Sequence, residues 1–271
     1  MYEAYWHLSE KPFEQTADPR YFFPSESHQA ALLKLRYALE NRRGGALLTG
    51  PAGVGKTQVV ETLHCTAPDW LQPFVHIVFP HMSAAELLAY VADELIGGRS
   101  AEAGAHANVQ RIAQFLAENT RRGRHAVVVI DEAHLLYSPE SLETLRLLMN
   151  FQTDGRQGLS LLLAGQTSLL PLLRRTPQLD ERLAVKCMLR PLTKEETKAY
   201  AEHRLSVAGA STHLFAPDAF DALYELSHGL PRQINRLCDL ALLIGFADQR
   251  EQLTAEQFEA VAEELVAVAP E

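Results

Sequence analysis

The sequence predicts a parallel α/β domain followed by a small helical bundle. The first observation is that short apolar runs alternate with helix-like periodicity up to about residue 190, the pattern of strands joined by crossover helices. The second is a glycine-rich segment, 50–57, that directly follows the first apolar run. The third is the loss of strand signals after Pro191, beyond which four helical segments follow one another. The expected domain has three layers, with helices on both faces of the sheet.

Five segments are predicted as strands because they are short and apolar: 46–49, 73–80, 125–130, 159–164 and 184–189. Apolar residues at helical spacing predict helices around and between them, at 28–40, 58–63, 83–95, 108–120, 139–151 and 167–173. Ser83 and Glu86 have the spacing of a capping box at the start of one of these helices. Asp154-Gly155 is predicted as a turn.

Two regions flank this α/β pattern. Residues 1–24 are rich in aromatic side chains and prolines, which predicts an irregular arm packed on the core. After Pro191, the segments 194–207, 217–226, 231–246 and 254–266 are predicted as helices. The expected domains are therefore an α/β domain with its aromatic arm, 1–192, and a helical lid, 193–271.

Charge is unevenly distributed along the chain. The formal net charge is −9, and the part from residue 191 onward holds six basic and 14 acidic residues. An acidic lid argues against a general nucleic-acid clamp in that region. It leaves room for a local basic patch in the first part, such as Arg42-Arg43 or Arg121-Arg122-Gly123-Arg124. The three scattered cysteines, the absence of a signal peptide and the lack of a membrane-span pattern predict a cytoplasmic chain.

Residues 50–57 have the pattern G-x-x-x-x-G-K-[ST] of a phosphate-binding loop, with a predicted strand before it and a predicted helix after it. Lys56 is expected to reach the β- and γ-phosphates of a nucleotide, and the Thr57 hydroxyl to bind Mg²⁺. Backbone N–H groups of such a loop face the phosphate oxygens. The predicted binding residues are Gly50, Pro51, Ala52, Gly53, Val54, Gly55, Lys56 and Thr57.

Asp131 and Glu132 follow the apolar run Val127-Val128-Val129-Ile130 directly. Ligands of α/β sheets bind at the carboxyl ends of strands, where this pair is expected. Asp131 is predicted to act on Mg²⁺, and Glu132 to accept a proton from the attacking water. His134, two residues later, is predicted as a loop residue rather than a catalytic one.

Three further polar residues are candidates for the site. Gln166 follows the fourth strand, where it would orient the water or cap the next helix. Arg232 follows the turn Gly229-Leu230-Pro231 in the lid, from which its cation would reach the phosphates. Arg182 precedes the fifth strand and is predicted as an arginine finger supplied to a neighbouring subunit. Arg174 and Arg175 are its competitors, and a solvated surface arginine is the alternative.

On these residues the chain resembles the AAA+ ATPases and, within them, the general secretion pathway protein A (ExeA-like) family. The resemblance runs from end to end of the chain and rests on the two motifs above together with these segments: Lys11-Pro12-Phe13, Asp18-Pro19-Arg20-Tyr21-Phe22, 25–28, Ala164-Gly165-Gln166, Leu189-Arg190-Pro191-Leu192 and Gly229-Leu230-Pro231-Arg232-Gln233-Ile234-Asn235-Arg236. Gly165-Gln166-Thr167-Ser168 departs from the family's usual Gly-Gln-Pro-Glu.

The resemblance implies a five-stranded sheet in the order 5-1-4-3-2 with a helical lid, ATP and Mg²⁺ as cofactors, and ATP sites between the subunits of a homo-oligomer. It also implies that Gln166 is sensor 1 and Arg232 is sensor 2. The expected function is a stand-alone ATP-hydrolysing switch that remodels or recruits an unidentified protein partner. A DNA-associated regulator of transposition targets, and a nucleotide-binding module with little hydrolysis, are the alternatives.

Overall fold

The computed structural model describes residues 1–14, 16, 18–98, 104–136, 138–210 and 213–267. The chain divides into two compact units, each with its own hydrophobic core. The sheet unit comprises Gln29–Pro51 and Thr62–Leu189. The helical unit comprises Met1–His28, Ala52–Glu61 and Arg190–Glu271.

The sheet unit contains seven strands in its described part: β1 (Gly45–Thr49), β2 (Phe74–Ile77), β3 (Ala126–Ile130), β4 (Gln152–Thr153), β5 (Arg156–Gln157), β6 (Leu159–Gly165) and β7 (Leu183–Met188). Five of them form one parallel sheet in the order β2-β3-β6-β1-β7. Counted among themselves, the parallel strands have the predicted order 5-1-4-3-2. The numbering shifts because β4 and β5 form a separate antiparallel ribbon.

This ribbon is absent from the sequence prediction, which extends a helix through 139–151. The helix α5 (Pro139–Leu148) ends earlier, and the ribbon follows it. Each of its strands is two residues long and polar, so neither shows the alternation of apolar and polar residues that predicts a strand. The turn between them was predicted, and Asp154 and Gly155 have the positive φ angles, 53° and 73°, of a tight hairpin turn.

The other helices named from the sheet unit are α1 (Glu26–Glu40), α2 (Lys56–Cys65), α3 (Ala84–Ile96), α4 (Ala105–Arg121), α6 (Leu169–Arg174) and α7 (Pro177–Asp180), of which α1 and α2 begin in the helical unit. Every residue of β1, β3 and β6 is buried, so both faces of the sheet centre are covered. The predicted capping box of Ser83 and Glu86 starts α3. None of the described helices is long and apolar enough to cross a lipid bilayer.

The helical unit contains α8 (Lys194–Val207), α9 (Pro217–Ser227), α10 (Pro231–Ala247) and α11 (Ala255–Ala267). The aromatic arm packs into the core of this unit: Tyr2, Trp6 and Phe13 are buried there, and Trp6 Nε1 donates a hydrogen bond to the Leu242 carbonyl at 2.9 Å. The aromatic arm therefore belongs to the same compact unit as the last four helices, whereas the predicted domains group it with the sheet. The predicted limits, 1–192 and 193–271, stay a prediction.

Candidate active site

Three of the predicted site segments meet at one edge of the parallel sheet. Gly50 follows β1, Asp131 follows β3 and Gln166 follows β6. The strand register places Thr49 beside Gly165, and Ile130 beside Leu163. Because all of these strands run parallel, their carboxyl ends form the edge at which α/β proteins bind ligands.

Asp131 is buried and held by its surroundings within the sheet unit. Its Oδ1 accepts a hydrogen bond from the Glu132 N–H at 2.8 Å, and its Oδ2 lies 3.4 Å from Nε2 of His76 on the neighbouring strand β2. The backbone N–H of Asp131 donates to the Ile77 carbonyl at 2.8 Å. The carboxylate is thereby oriented at the end of β3, a geometry suited to a metal-binding or water-binding role.

Glu132 has a strained backbone. Its φ of 49° lies in the left-handed region, which costs a residue with a side chain about 1–3 kcal/mol. Residues with this conformation occur at turns and cluster at functional sites. Its Oε2 lies 3.2 Å from His134 Nδ1, and its side chain is 40% exposed, so water has access to the carboxylate. Both features fit the predicted general base.

His134 connects this carboxylate with the end of β6. The Gln166 N–H donates to His134 Nδ1 at 3.3 Å. A single ring nitrogen either accepts or donates, so Nδ1 serves Gln166 when it carries no proton and Glu132 when it does. A Cβ on Gly165 would lie 3.1 Å from the His134 backbone nitrogen, which explains the glycine at that position. His134 and His76 were not predicted as site residues, because nothing in their local sequence marks these contacts.

The phosphate-binding loop has the backbone that its glycines require. In the helical unit, Gly53 and Gly55 have φ angles of +75° and +103°, which only glycine adopts readily. The Val54 carbonyl accepts a hydrogen bond from His28 Nε2 at 2.8 Å, and His28 Nδ1 lies 2.7 Å from Ser25 Oγ. A carbonyl oxygen only accepts, so Nε2 carries the ring proton. Burial lowers the pKa of His28, which favours this neutral form.

Arg232 lies against the same loop. Its backbone N–H donates to the Gly53 carbonyl at 3.1 Å. A Cβ built on Gly53 would lie 2.8 Å from the Arg232 Cβ, so a larger residue at 53 would separate the loop from the start of α10. The exposed Arg232 side chain therefore begins beside the loop, as expected of a cation that acts on the phosphates.

The loop residues fit a polyphosphate. Positive φ at Gly53 and Gly55 is a conformation found in anion-binding nests of backbone N–H groups. The helix α2 begins at Lys56, so its N-terminus adds a positive dipole end. Lys56 is buried, and the exposed Thr57 is the next residue of the helix. A buried ammonium group beside a nest of N–H donors is a site for an anion rather than for an apolar ligand.

The finger candidates lie elsewhere in the sheet unit. Arg182 directly precedes β7, and its carbonyl accepts from the Gly45 N–H at 3.1 Å, which places it at the amino edge of the sheet. Arg174 and Arg175 are exposed at the end of α6. Within this unit, Arg182 is thus at the edge opposite Asp131, Glu132 and Gln166.

Comparisons with known proteins show which families and folds this chain is similar to. Residues 39–173 fit the model of a family described as AAA domain. The match spans 135 of the 271 residues of this chain. The fold of the chain is that of the AAA+ P-loop NTPases, as predicted: it superimposes with a TM-score of 0.75 on Cdc6p of Pyrobaculum aerophilum, at 16% identity, covering 96% of this chain and 74% of that one. The ORC2 protein of Aeropyrum pernix in ADPNP-ADP complexes gives a TM-score of 0.72 at 15% identity, covering 94% and 72%.

A relative found by sequence shares more identical residues with this chain than these two structures do. The chain is 39% identical over 250 residues to general secretion pathway protein A of Aeromonas hydrophila, which confirms the resemblance predicted from the motifs. The match covers 91% of this chain and 45% of that protein, so the chain spans less than half of its relative's length.

Proposed function

We propose that the chain is an ATP-hydrolysing switch that acts as a homo-oligomer and remodels or recruits a protein partner. The observation that carries the proposal is the parallel sheet whose carboxyl edge presents Asp131 and Glu132 after β3 and leads from β1 into the phosphate-binding loop. AAA+ folds with this combination bind nucleotide and use the energy of its hydrolysis. The relative's name, general secretion pathway protein A, supports a protein partner in preference to a small substrate.

Each predicted residue has a proposed role. The loop residues Gly50, Pro51, Ala52, Gly53, Val54 and Gly55 hold the phosphates through backbone groups, and Lys56 offsets their charge. Thr57 and Asp131 hold Mg²⁺, which when bound neutralises charge that develops on the phosphates. Glu132 accepts the proton of the attacking water, with His134 as the group that orients its carboxylate. Gln166 and Arg232 act as sensors 1 and 2.

The arginine finger is proposed to act between subunits. Arg182 lies at the amino edge of the sheet, whereas Glu132 lies at the carboxyl edge of the same unit. These two edges are separated by the length of a five-residue strand, about 16 Å. An arginine in this position serves a neighbouring chain more readily than its own, which supports ATP sites that two chains complete. We place the protein in the cytoplasm; its three free cysteines fit a reducing compartment.

A DNA-associated regulator is the second candidate function. Unpaired arginines at the amino edge of the sheet favour it, as the next subsection describes. The third alternative, a module with little hydrolysis, is disfavoured because both carboxylates are present and Glu132 is accessible to water.

The test is ATP binding and phosphate release by the parental chain and by Lys56→Ala, with Lys34→Ala as control because Lys34 is an exposed lysine of the sheet unit. We expect Lys56→Ala to lose nearly all ATP affinity in a calorimetric titration and Lys34→Ala to keep it. Near-parental affinity in Lys56→Ala would overturn the assignment of the loop. Phosphate release that appears only on addition of duplex DNA at fixed salt would favour the second candidate.

A further inference from the structure

A second polar surface lies at the amino edge of the sheet, away from the candidate active site. Three neighbouring strands begin there, β1, β6 and β3, and arginines come just before each of them. The arginine patch is defined as Arg42 and Arg43 before β1, Arg121 and Arg124 before β3, and Arg156 before β6. Adjacent strands are about 4.8 Å apart, so the three strand starts span about 10 Å.

Several contacts bring these segments together. The Arg42 guanidinium lies over the Trp70 ring, 5.5 Å from its centroid, and the Trp70 carbonyl accepts from the His125 N–H at 2.8 Å. Burial and, to a smaller extent, the positive charge of Arg156 lower the pKa of Arg42. Arg124 also lines a cleft of about 190 Å³ together with Phe115 and Asn119.

The five guanidinium groups are not neutralised by the protein. In the part of the chain that the structure describes, no carboxylate lies within 4.0 Å of any of them, whereas the neighbouring Arg122 pairs with Glu118. Like charges that are held together without counter-charges repel one another and attract an external polyanion. The sheet unit has 15 lysines and arginines against 14 acidic residues, and the helical unit has 10 against 20, so this patch is a local feature of an acidic protein.

The side chains of the patch suit phosphate groups. All five cations are arginines, whose planar fork donates two hydrogen bonds to one phosphate. Arg42 covers one face of the half-buried Trp70 ring, which makes this ring a poor stacking platform for single-stranded bases. An anionic membrane surface would be expected to find apolar anchors here. Of the large exposed hydrophobic side chains described, Tyr37 contacts the patch, and it does so through a hydrogen bond and a ring contact with Arg43 rather than as an apolar anchor.

We infer that the arginine patch binds the phosphate backbone of double-stranded DNA, without reading its base sequence. This surface is separate from the carboxyl edge, and the inference does not rest on ATP hydrolysis. The patch would hold the chain on DNA, whichever partner its ATP cycle acts on.

The test is the salt dependence of binding to a short fluorescein-labelled DNA duplex, measured by anisotropy without nucleotide. Each phosphate contact contributes about −0.9 to the slope of log K against log salt, so five contacts predict a slope of about −4.5. The triple variant Arg42→Gln, Arg124→Gln, Arg156→Gln is expected to have a slope shallower by about 2.7. The matched control Lys34→Gln, Arg236→Gln, Arg250→Gln removes the same charge from exposed residues outside the patch and should keep the parental slope.

Arg42 is half-buried, so the double variant Arg121→Gln, Arg156→Gln, with both changes at exposed residues, guards against a loss of folding. Its slope should be shallower by about 1.8. The inference is overturned if the parental chain fails to bind the duplex at low salt, or if the control triple loses as much slope as the patch triple. Binding of duplex RNA alone, or of anionic phospholipid vesicles alone, would also overturn it.

Discussion

His28 Nε2 lies 2.8 Å from the carbonyl oxygen of Val54, in the middle of the phosphate-binding loop. The two residues are 26 positions apart, and both are buried. The Ser25 hydroxyl holds the other ring nitrogen, so the imidazole is fixed from both sides. Because the Val54 carbonyl accepts this bond, it is turned toward His28. The N–H groups of the glycine turns are then the polar groups that can bind an anion.

We therefore expect His28→Ala to weaken ATP binding. It leaves the Val54 carbonyl without its buried donor, a loss of about 1–3 kcal/mol, which corresponds to about 5- to 150-fold in affinity. His28→Gln retains an N–H donor and should recover part of the affinity, so the comparison separates a lost hydrogen bond from a lost side-chain volume. Calorimetric titration measures the ATP affinity of both variants. If His28→Ala binds ATP as the parental chain does, the loop holds its shape without this contact.

Glu132→Gln is expected to bind ATP and to hydrolyse it slowly. The amide has the shape of the carboxylate but cannot accept the proton of water, and general-base catalysis contributes about 10²–10⁴-fold. Phosphate release in single-turnover and steady-state assays measures the effect, with ATP affinity as the control for an intact site. Turnover at the parental rate would exclude Glu132 as the base and leave His134 to be tested next.

Gly229→Ala should destabilise the helical unit strongly. Gly229 has a φ of +68°, and an added Cβ would lie 2.0 Å from the Leu192 carbonyl oxygen, which is backbone and cannot turn aside. Backbone clashes of this kind cost about 3 kcal/mol or more. For a chain of this size, that lowers the melting temperature by roughly 6–12 °C.

Gly98→Ala is the matched control, because a Cβ at that position meets no atom within 4 Å. We expect its melting temperature to stay within the error of the parental value. Equal thermal stability of the two variants would mean that the turn before α10 adapts to a side chain.

The parts of this structure that the sequence predicts are those encoded by local patterns. The strands β1, β3 and β6 are continuous apolar runs because both of their faces are covered, and the glycine motif follows β1 with its glycines at the turns that need positive φ. The parallel order follows from the resemblance to AAA+ proteins. The capping box at Ser83 was likewise predicted, since it needs only residues three apart.

What the sequence does not predict depends on contacts between distant segments. His28 meets Val54, His76 meets Asp131 and His134 meets Gln166, and no spacing rule relates the members of these pairs. A histidine with no local motif is more often a packed or solvated residue than a site residue, so the sequence predicts His134 as a loop residue and gives His28 and His76 no role. The arm is similar: its aromatic residues predict burial, but which helices bury them is decided by folding.

His125 predicts an acid-sensitive stability. It is buried at the start of β3, with Nε2 2.8 Å from Ser160 Oγ, and burial, with a further effect of the Arg42 charge, lowers its pKa to about 4. The unfolded chain, with an ordinary pKa near 6.5, binds the proton more readily. The stabilisation from neutral His125 is complete above about pH 6.5 and is lost as the pH falls toward about 4, by up to about 3 kcal/mol.

Urea unfolding over this pH range measures the effect. We expect His125→Gln to flatten the pH dependence and His106→Gln, at an exposed position, to leave it unchanged. A His125→Gln chain that loses stability on acidification as steeply as the parental chain would assign the effect to other groups.

Arg182 gives the sharpest test of assembly. If it acts on a neighbouring chain, Arg182→Ala should bind ATP as the parental chain does and hydrolyse it poorly, since arginine fingers supplied in trans contribute about 10³–10⁵-fold in well-studied cases. Arg174→Ala serves as the matched control, because it removes the same charge from an exposed residue of the same unit. Parental turnover per chain should also rise with protein concentration while subunits associate.

Mixing two inactive chains then identifies the interface. Arg182→Ala keeps Glu132, and Glu132→Gln keeps Arg182, so an interface between the two chains in one orientation contains both intact groups. We expect the mixture to recover part of the parental turnover, although each chain alone is nearly inactive. Arg182 would be removed from the mechanism by unchanged turnover of Arg182→Ala, or by full activity of a chain that sedimentation shows to be monomeric. If Arg174→Ala instead loses most of its ATP turnover, the finger lies at the end of α6. Arg175 would then be the next residue to replace.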